Sequence, residues 1–165
     1  MLVATALIDQ AIGDVRHQLG ATYDLGASLA ESRLSSRIEI TGYVDASRAS
    51  EALALLRERL AGLRAATNAT ASQFVSARDH VLARATSLKM GAAGLANLAE
   101  RSTALGLGVT MDVDAAEIAR KLTLPDLAKQ LQAIDLERSA IVLRGPREVI
   151  VQAFATLGRK PRILE

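Results

Sequence analysis

The stretch DVRHQLGATYDLGASL, residues 14–29, decides how the chain is read. A helix ends inside it at Leu19-Gly20, and a strand begins almost at once. Upstream, Ile8, Ile12, Val15 and Leu19 recur at intervals of four, three and four, the apolar stripe of an amphipathic helix. Gly20 falls where a helix C-terminus favours a left-handed residue. Downstream, Tyr23, Leu25, Ala27 and Leu29 alternate with their neighbours. The alternation returns in Ile38, Ile40, Gly42 and Val44, between the mostly polar Arg37, Glu39, Thr41 and Tyr43. With a turn across Glu31 to Ser35, this predicts an antiparallel hairpin with one covered face, its strands at Tyr23–Leu29 and Arg37–Val44.

The rest of the chain reads mostly as helix. Asp45 or Ser47 is placed to cap a helix whose stripe is Leu53, Leu56, Leu60 and Leu63. After a loop at Asn68–Ala71, a helix over about Ala71–Lys89 carries Phe74, Val81, Ala85 and Leu88. An Ala-rich helix over Ala92–Leu105 is closed by Gly106 and Gly108. Asp112 or Asp114 starts a short helix running through Leu122. Thr123 then caps the helix Leu124–Ile134, where Pro125 is tolerated in the first turn and Asp126 complements the dipole. Ser139–Leu143 (SAIVL) reads as a strand stopped by Gly145-Pro146, Glu148–Leu157 as a last helix, and Pro161–Leu164 as an edge strand. Strands and helices are segregated, which predicts an α+β fold with a mostly antiparallel sheet covered on one face by helices. No repeat or linker divides residues 1–165, so the chain reads as a single domain. Met1 opens directly in a helical pattern, so a cut fragment or a cloned domain rather than a natural start is expected.

Composition narrows the function. The 165 residues can bury a real core, yet they include only two Phe, two Tyr and no Trp. Twenty Lys+Arg stand against 18 Asp+Glu, with no visible basic cluster and no aromatics interleaved with one, which argues against nucleic acid as a partner. The lack of cysteine removes disulfides and thiolate chemistry and fits either cytosol or periplasm. The N-terminal decapeptide lacks a basic start and meets Asp9 too early for a signal peptide. Glu100 and Arg101 interrupt the most apolar long window, so no membrane span is expected.

Most catalytic chemistries find no residues. A catalytic zinc needs about three protein ligands. Only His17 and His80 are present, far apart, with no H-E-x-x-H or H-x-x-E-H pair, so no metal is expected on this chain. Ser32, Ser35 and Ser36 sit where serine serves turn chemistry. Gly106 to Gly108 lacks the further residues of a phosphate loop. The acids Asp112 and Asp114 suit helix N-termini as well as acid–base work. Arg16 and Tyr23 remain, seven positions apart across the helix-to-strand junction. Each has a structural explanation, a cation in a last helical turn and an ordinary strand tyrosine.

Here the chain resembles the pitrilysin/insulinase family of zinc peptidases, which includes the mitochondrial processing peptidases and their catalytically silent partner subunits. The similar pattern is RHQLGATYDLGASL, Arg16 to Leu29, continuing into IEITGYVD and the helix Ala46–Leu63. Ser72–Ala85 is similar to the family's long central helix, Ala115–Ile134 to its pair of short helices, and AIVLRGP to its late strand ending in Gly-Pro. The family uses two related units, one bearing zinc and one facing it across a closed chamber without zinc. The resemblance implies that this chain is a zinc-free unit of the processing-peptidase type, truncated ahead of Met1. It implies that a zinc-bearing peptidase domain in cis or in trans is its partner, with peptide as substrate and zinc held only in that partner. It also implies that Arg16 and Tyr23 are substrate-binding residues reaching the peptide near the metal. No catalytic residue of its own follows. A catalytically inert scaffold or interaction domain is the alternative, and an unpaired sheet edge invites a homodimer.

Overall fold

The computed structural model describes residues 1–20, 22–65, 71–87, 89, 91–106, 111–135 and 138–163, with only the backbone of 111–114. Its first helix, α1 (Leu2–Leu19), buries Val3 through Ile8 without a break and then only Ile12, Val15 and Leu19. Its first half is therefore enclosed on all sides, and its second half is amphipathic as the spacing predicts. The hairpin packs on it from one side, and α2 (Ala49–Arg64), α3 (Ala71–Ser87) and α6 (Leu124–Gln132) pack from the others. Leu7, Ile12 and Val15 meet Leu127 and Leu131 in a core that includes Leu25, Ala52, Leu63, Phe74, Ala77 and Val81. Gly20 closes α1 at φ 61°, its N–H bonded to the Arg16 carbonyl at 2.9 Å.

The hairpin pairs β1 (Thr22–Glu31) with β2 (Ser36–Val44) in antiparallel register. Its turn is held by the Ser32 N–H on the Ser35 carbonyl at 2.8 Å and by the Ser32 hydroxyl on the same oxygen at 3.0 Å. Tyr23 lies opposite Tyr43 and Gly26 opposite Thr41, so Asp24 and Leu25 together face Gly42. This is a β-bulge with Asp24 left-handed at φ 49°. An added Cβ on Gly42 would stand 2.4 Å from the Leu25 Cα, so the crossing requires glycine.

The bulge corrects the expected alternation. Leu25 and Ala27 do face the core, with Ile38, Ile40 and Val44 from β2. One extra residue flips the parity, so Tyr23 joins Ser28, Thr41 and Tyr43 on the uncovered face. Asp9 on α1 accepts the Ala27 backbone N–H at 2.7 Å, a strand donor not used in the β2 ladder.

The fold is mixed α+β, with seven α-helices and one two-stranded antiparallel sheet among the described residues. A sheet-dominated layer is not what forms. The expected strand Ser139–Leu143 does not form: none of it is assigned as strand or pairs with one among the described residues, and Val142 is 91% exposed. Apolar β-branched residues favour extension, but a strand also needs a neighbour to complete its ladder. Here the Ser139 carbonyl accepts the Arg159 guanidinium at 3.1 Å instead. Residues 161–163 are likewise unpaired as strand, and Leu164 lies outside the described residues.

Asp45 precedes a 3-10 turn (Ala46–Arg48) leading into α2, but neither it nor Ser47 makes the expected capping bond. The caps expected from Asp112 or Asp114 on α5 (Met111–Lys121), and the closure by Gly108, lie outside the described residues; Gly106 does close α4 (Ala92–Leu105) at φ 67°. Thr123 caps α6 as expected, in a reciprocal box with Asp126. The last helix, α7 (Arg147–Thr156), packs on α2. No helix among the described residues is long and apolar enough to cross a membrane.

Two outcomes follow from these contacts. Gly42→Ala forces the bulge apart, and urea denaturation should show a loss of about 1–3 kcal/mol. The Asp126 carboxyl is held below its ordinary range, first by the Thr123 hydroxyl and then by the Thr123 backbone N–H. A depressed carboxylate stabilises the fold above its unfolded pKa and loses that contribution as pH falls through its folded value. The stability difference between wild type and Thr123→Val, read as urea midpoints, should therefore shrink steadily on acidification.

Candidate functional site

The α1–β1 junction concentrates the residues singled out by sequence. Arg16 and His17 occupy the last turn of α1, both exposed. Arg16 makes no side-chain hydrogen bond or ion pair with any described residue, so its guanidinium is available to solvent or to a ligand. Two residues past Gly20, β1 begins, and Tyr23 stands on the open face of the hairpin, 65% exposed. Arg16 and Tyr23 therefore share one end of the hairpin, at the handover from helix to strand. They leave it on different sides: α1 packs against the covered face, and Tyr23 rises from the open one.

The backbone between them is anchored by Arg48, which sequence reasoning passed over. Its guanidinium donates to the Leu19 carbonyl at 2.8 Å, one of the orphan acceptors that a helix C-terminus leaves. The same group forms a two-pronged contact with Glu51 at 2.8 and 2.7 Å. Arg59 adds a bond to the Gln18 side-chain oxygen at 3.2 Å. An arginine just before a leucine-striped helix carries no signal of a partner 29 residues upstream. Only the fold brings Leu19 to it.

Two hollows stand out in the described structure, and neither belongs to this junction. One, of about 10 Å³, is a packing gap between α1, α2 and α6, lined by Ile8, Leu60, Leu63, Arg64, Leu131 and Ile134. The other, of about 270 Å³, is an open hollow at the hairpin turn, lined by Glu31, Ser32, Arg33, Ser35, Ser36 and Leu105. Two of its three serines are engaged with the turn: Ser32 and Ser35 bond one another and their own backbone. Its acid, Glu31, is ion-paired with Arg101 of α4. No histidine lines it, so nucleophilic activation has no base there. Among the described residues, no cluster of three or more His, Cys, Asp or Glu could hold a metal ion.

The second feature that sequence reasoning missed is the pairing of Tyr23 with Tyr43, which is 73% exposed. Tyr43 was legible as a solvent-side residue. Its alignment with Tyr23 depends on the bulge, for which Gly42 inside a strand pattern is the available signal. No protein-family model matches this chain, and no curated protein matches it.

Removal of the Arg48 anchor gives a measurable outcome. Arg48→Met leaves the Leu19 carbonyl without its donor, and the expected loss in urea denaturation is about 1 kcal/mol. The Arg48–Glu51 pair is largely exposed, so Glu51→Gln should cost distinctly less.

Proposed function

We propose that this chain is the zinc-free half of a bipartite zinc metallopeptidase of the processing-peptidase type, forming a wall of the peptide chamber. The supporting argument has two parts. The first helix, the hairpin, α2, α3 and the short pair α5 and α6 run in the order that the resemblance expects, although α4 intervenes and the late strand expected at AIVLRGP does not form. The observation that carries the reading is the exposure of both Arg16 and Tyr23 at one end of the hairpin. From their two sides of that end, the guanidinium and the phenol can each donate a hydrogen bond to a bound peptide. Zinc, held by the partner unit, supplies the Lewis acid and the activated water. This chain holds and orients the peptide.

One observation favours the alternative of an inert scaffold. Neither of the two hollows described above is lined by Arg16 or Tyr23, and the two side chains leave the junction on different sides of the hairpin.

The two readings separate in an assembled enzyme, reconstituted with a partner bearing an H-x-x-E-H helix. Arg16→Ala and Tyr23→Phe should each lower turnover about tenfold or more, the scale of a lost oxyanion donor. Turnover unchanged in both variants leaves the scaffold. The chain alone, incubated with zinc and desalted, should retain no stoichiometric metal and cleave no peptide.

A further inference from the structure

The two edges of the hairpin are not alike. The Ser32 N–H on the Ser35 carbonyl fixes which rungs carry the ladder. Counted back from it in antiparallel register, Ala30 with Arg37, Ser28 with Glu39 and Gly26 with Thr41 exchange their backbone bonds. The rungs between them, Glu31 with Ser36, Leu29 with Ile38 and Ala27 with Ile40, turn their N–H and C=O groups outward. The Asp9 bond to the Ala27 N–H at 2.7 Å agrees, because that donor points away from β2. On β1 the outward edge is therefore occupied by a carboxylate, and α1 packs along the strand. On β2 the outward N–H and C=O groups of Ser36, Ile38 and Ile40 bond to no described residue. Among the described elements, β1 alone packs broadly on this strand.

A bare edge pairs with a strand that fits it, and the charges of β2 say what fits. Arg37 and Glu39 flank Ile38 on the open face, paired with each other at 2.6 Å, their side chains 75% and 37% exposed. An antiparallel copy of β2 brought to this edge must set outward groups against outward groups, so its register moves only in steps of two residues. With Ile38 opposite Ile38 of the copy, Arg37 stands opposite the copy's Glu39, and Glu39 opposite its Arg37. Those rungs are of the non-hydrogen-bonded kind, at which facing side chains come closest. A slip of two residues either way sets Arg37 against Arg37 or Glu39 against Glu39, which is repulsive. On the covered face the two half-buried Ile38 side chains meet, and each Ile40 meets a Ser36.

We propose that the outer edge of β2 pairs with the same edge of a second copy of this chain, about a two-fold axis at Ile38, joining two hairpins into one four-stranded antiparallel sheet. The same residues serve on both sides, as a closed dimer requires. A ladder this short buries less than the ~1,600 Å² of a standard interface, so the dimer is weak, forming between roughly 10 and 1,000 µM chain. The pairing uses neither Arg16 nor Tyr23, so it and the peptidase reading can each fail without the other.

The charge pattern supplies the test. Sedimentation of the full chain over about 10–1,000 µM should show a monomer–dimer equilibrium. Arg37→Glu and Glu39→Arg, each made alone, put like charges on both facing rungs and should weaken the dimer about tenfold, with circular dichroism unchanged. The double variant Arg37→Glu/Glu39→Arg restores opposite charges in this register alone among the three compared, and should recover wild-type association. Amide exchange followed by NMR should slow at Ile38 and Ile40 as the chain concentration rises. The proposal is overturned by a chain that stays monomeric at the top of this range, by single variants that associate as wild type does, or by a double variant no better than the singles. Concentration-dependent protection that spares Ile38 and Ile40 overturns it equally, since the contact then lies elsewhere.

Discussion

The whole arrangement depends on enclosure of the first half of α1. Val3, Ala4, Thr5, Ala6, Leu7 and Ile8 are consecutive and all buried, so apolar surface is supplied around the full circumference of the helix. Burial of a Leu or Ile side chain contributes roughly 1.5–3 kcal/mol, and several meet here. A helix with only one apolar stripe would need a single neighbour. This one needs the hairpin, α2, α3 and α6 at once, and the two-stranded sheet gains from it the support that an isolated hairpin lacks. The polar exception inside is handled locally: the Thr5 hydroxyl donates to the Met1 carbonyl at 3.1 Å.

Around this axis, arginines near the 3-10 turn and on α2 serve as clamps on helix ends. Arg48 holds the Leu19 carbonyl at the end of α1, and Arg57 holds the Leu157 carbonyl just after α7, at 3.0 Å. In each case a cation meets the negative pole of a helix and satisfies an acceptor that the helix itself cannot. The junction bearing Arg16 and Tyr23 is thereby fixed in place, and both side chains stay exposed, on different sides of the hairpin.

How much of this was legible in the sequence follows from the range of each interaction. The Gly20 closure of α1 and the Thr123–Asp126 box on α6 are local, with partners within four residues, and both form as expected. The spans of the helices also follow from periodicity. The errors arise where a distant partner decides. Residues 139–143 have the composition of a strand but pair with no strand among the described residues. Tyr23 has the parity of a core residue until Gly42, 19 positions later, lets an extra residue into β1. Arg16 and Tyr23 were legible as residues near one junction, because a helix end and a strand start can be located locally. The side of the hairpin each one occupies could not be read, because it depends on that same bulge.

The fourth helix is built differently from its neighbours. α4 has Ser102 as its single buried residue and no broad packing partner among the described elements. The hairpin turn holds it by the Glu31–Arg101 pair and by the Arg33 guanidinium against Gly106. Such attachments are screened by mobile ions, whereas the apolar contacts of α1 are not. Rising ionic strength therefore loosens α4 as a separate unit, and its amide protons exchange with solvent while those of the central helix stay protected.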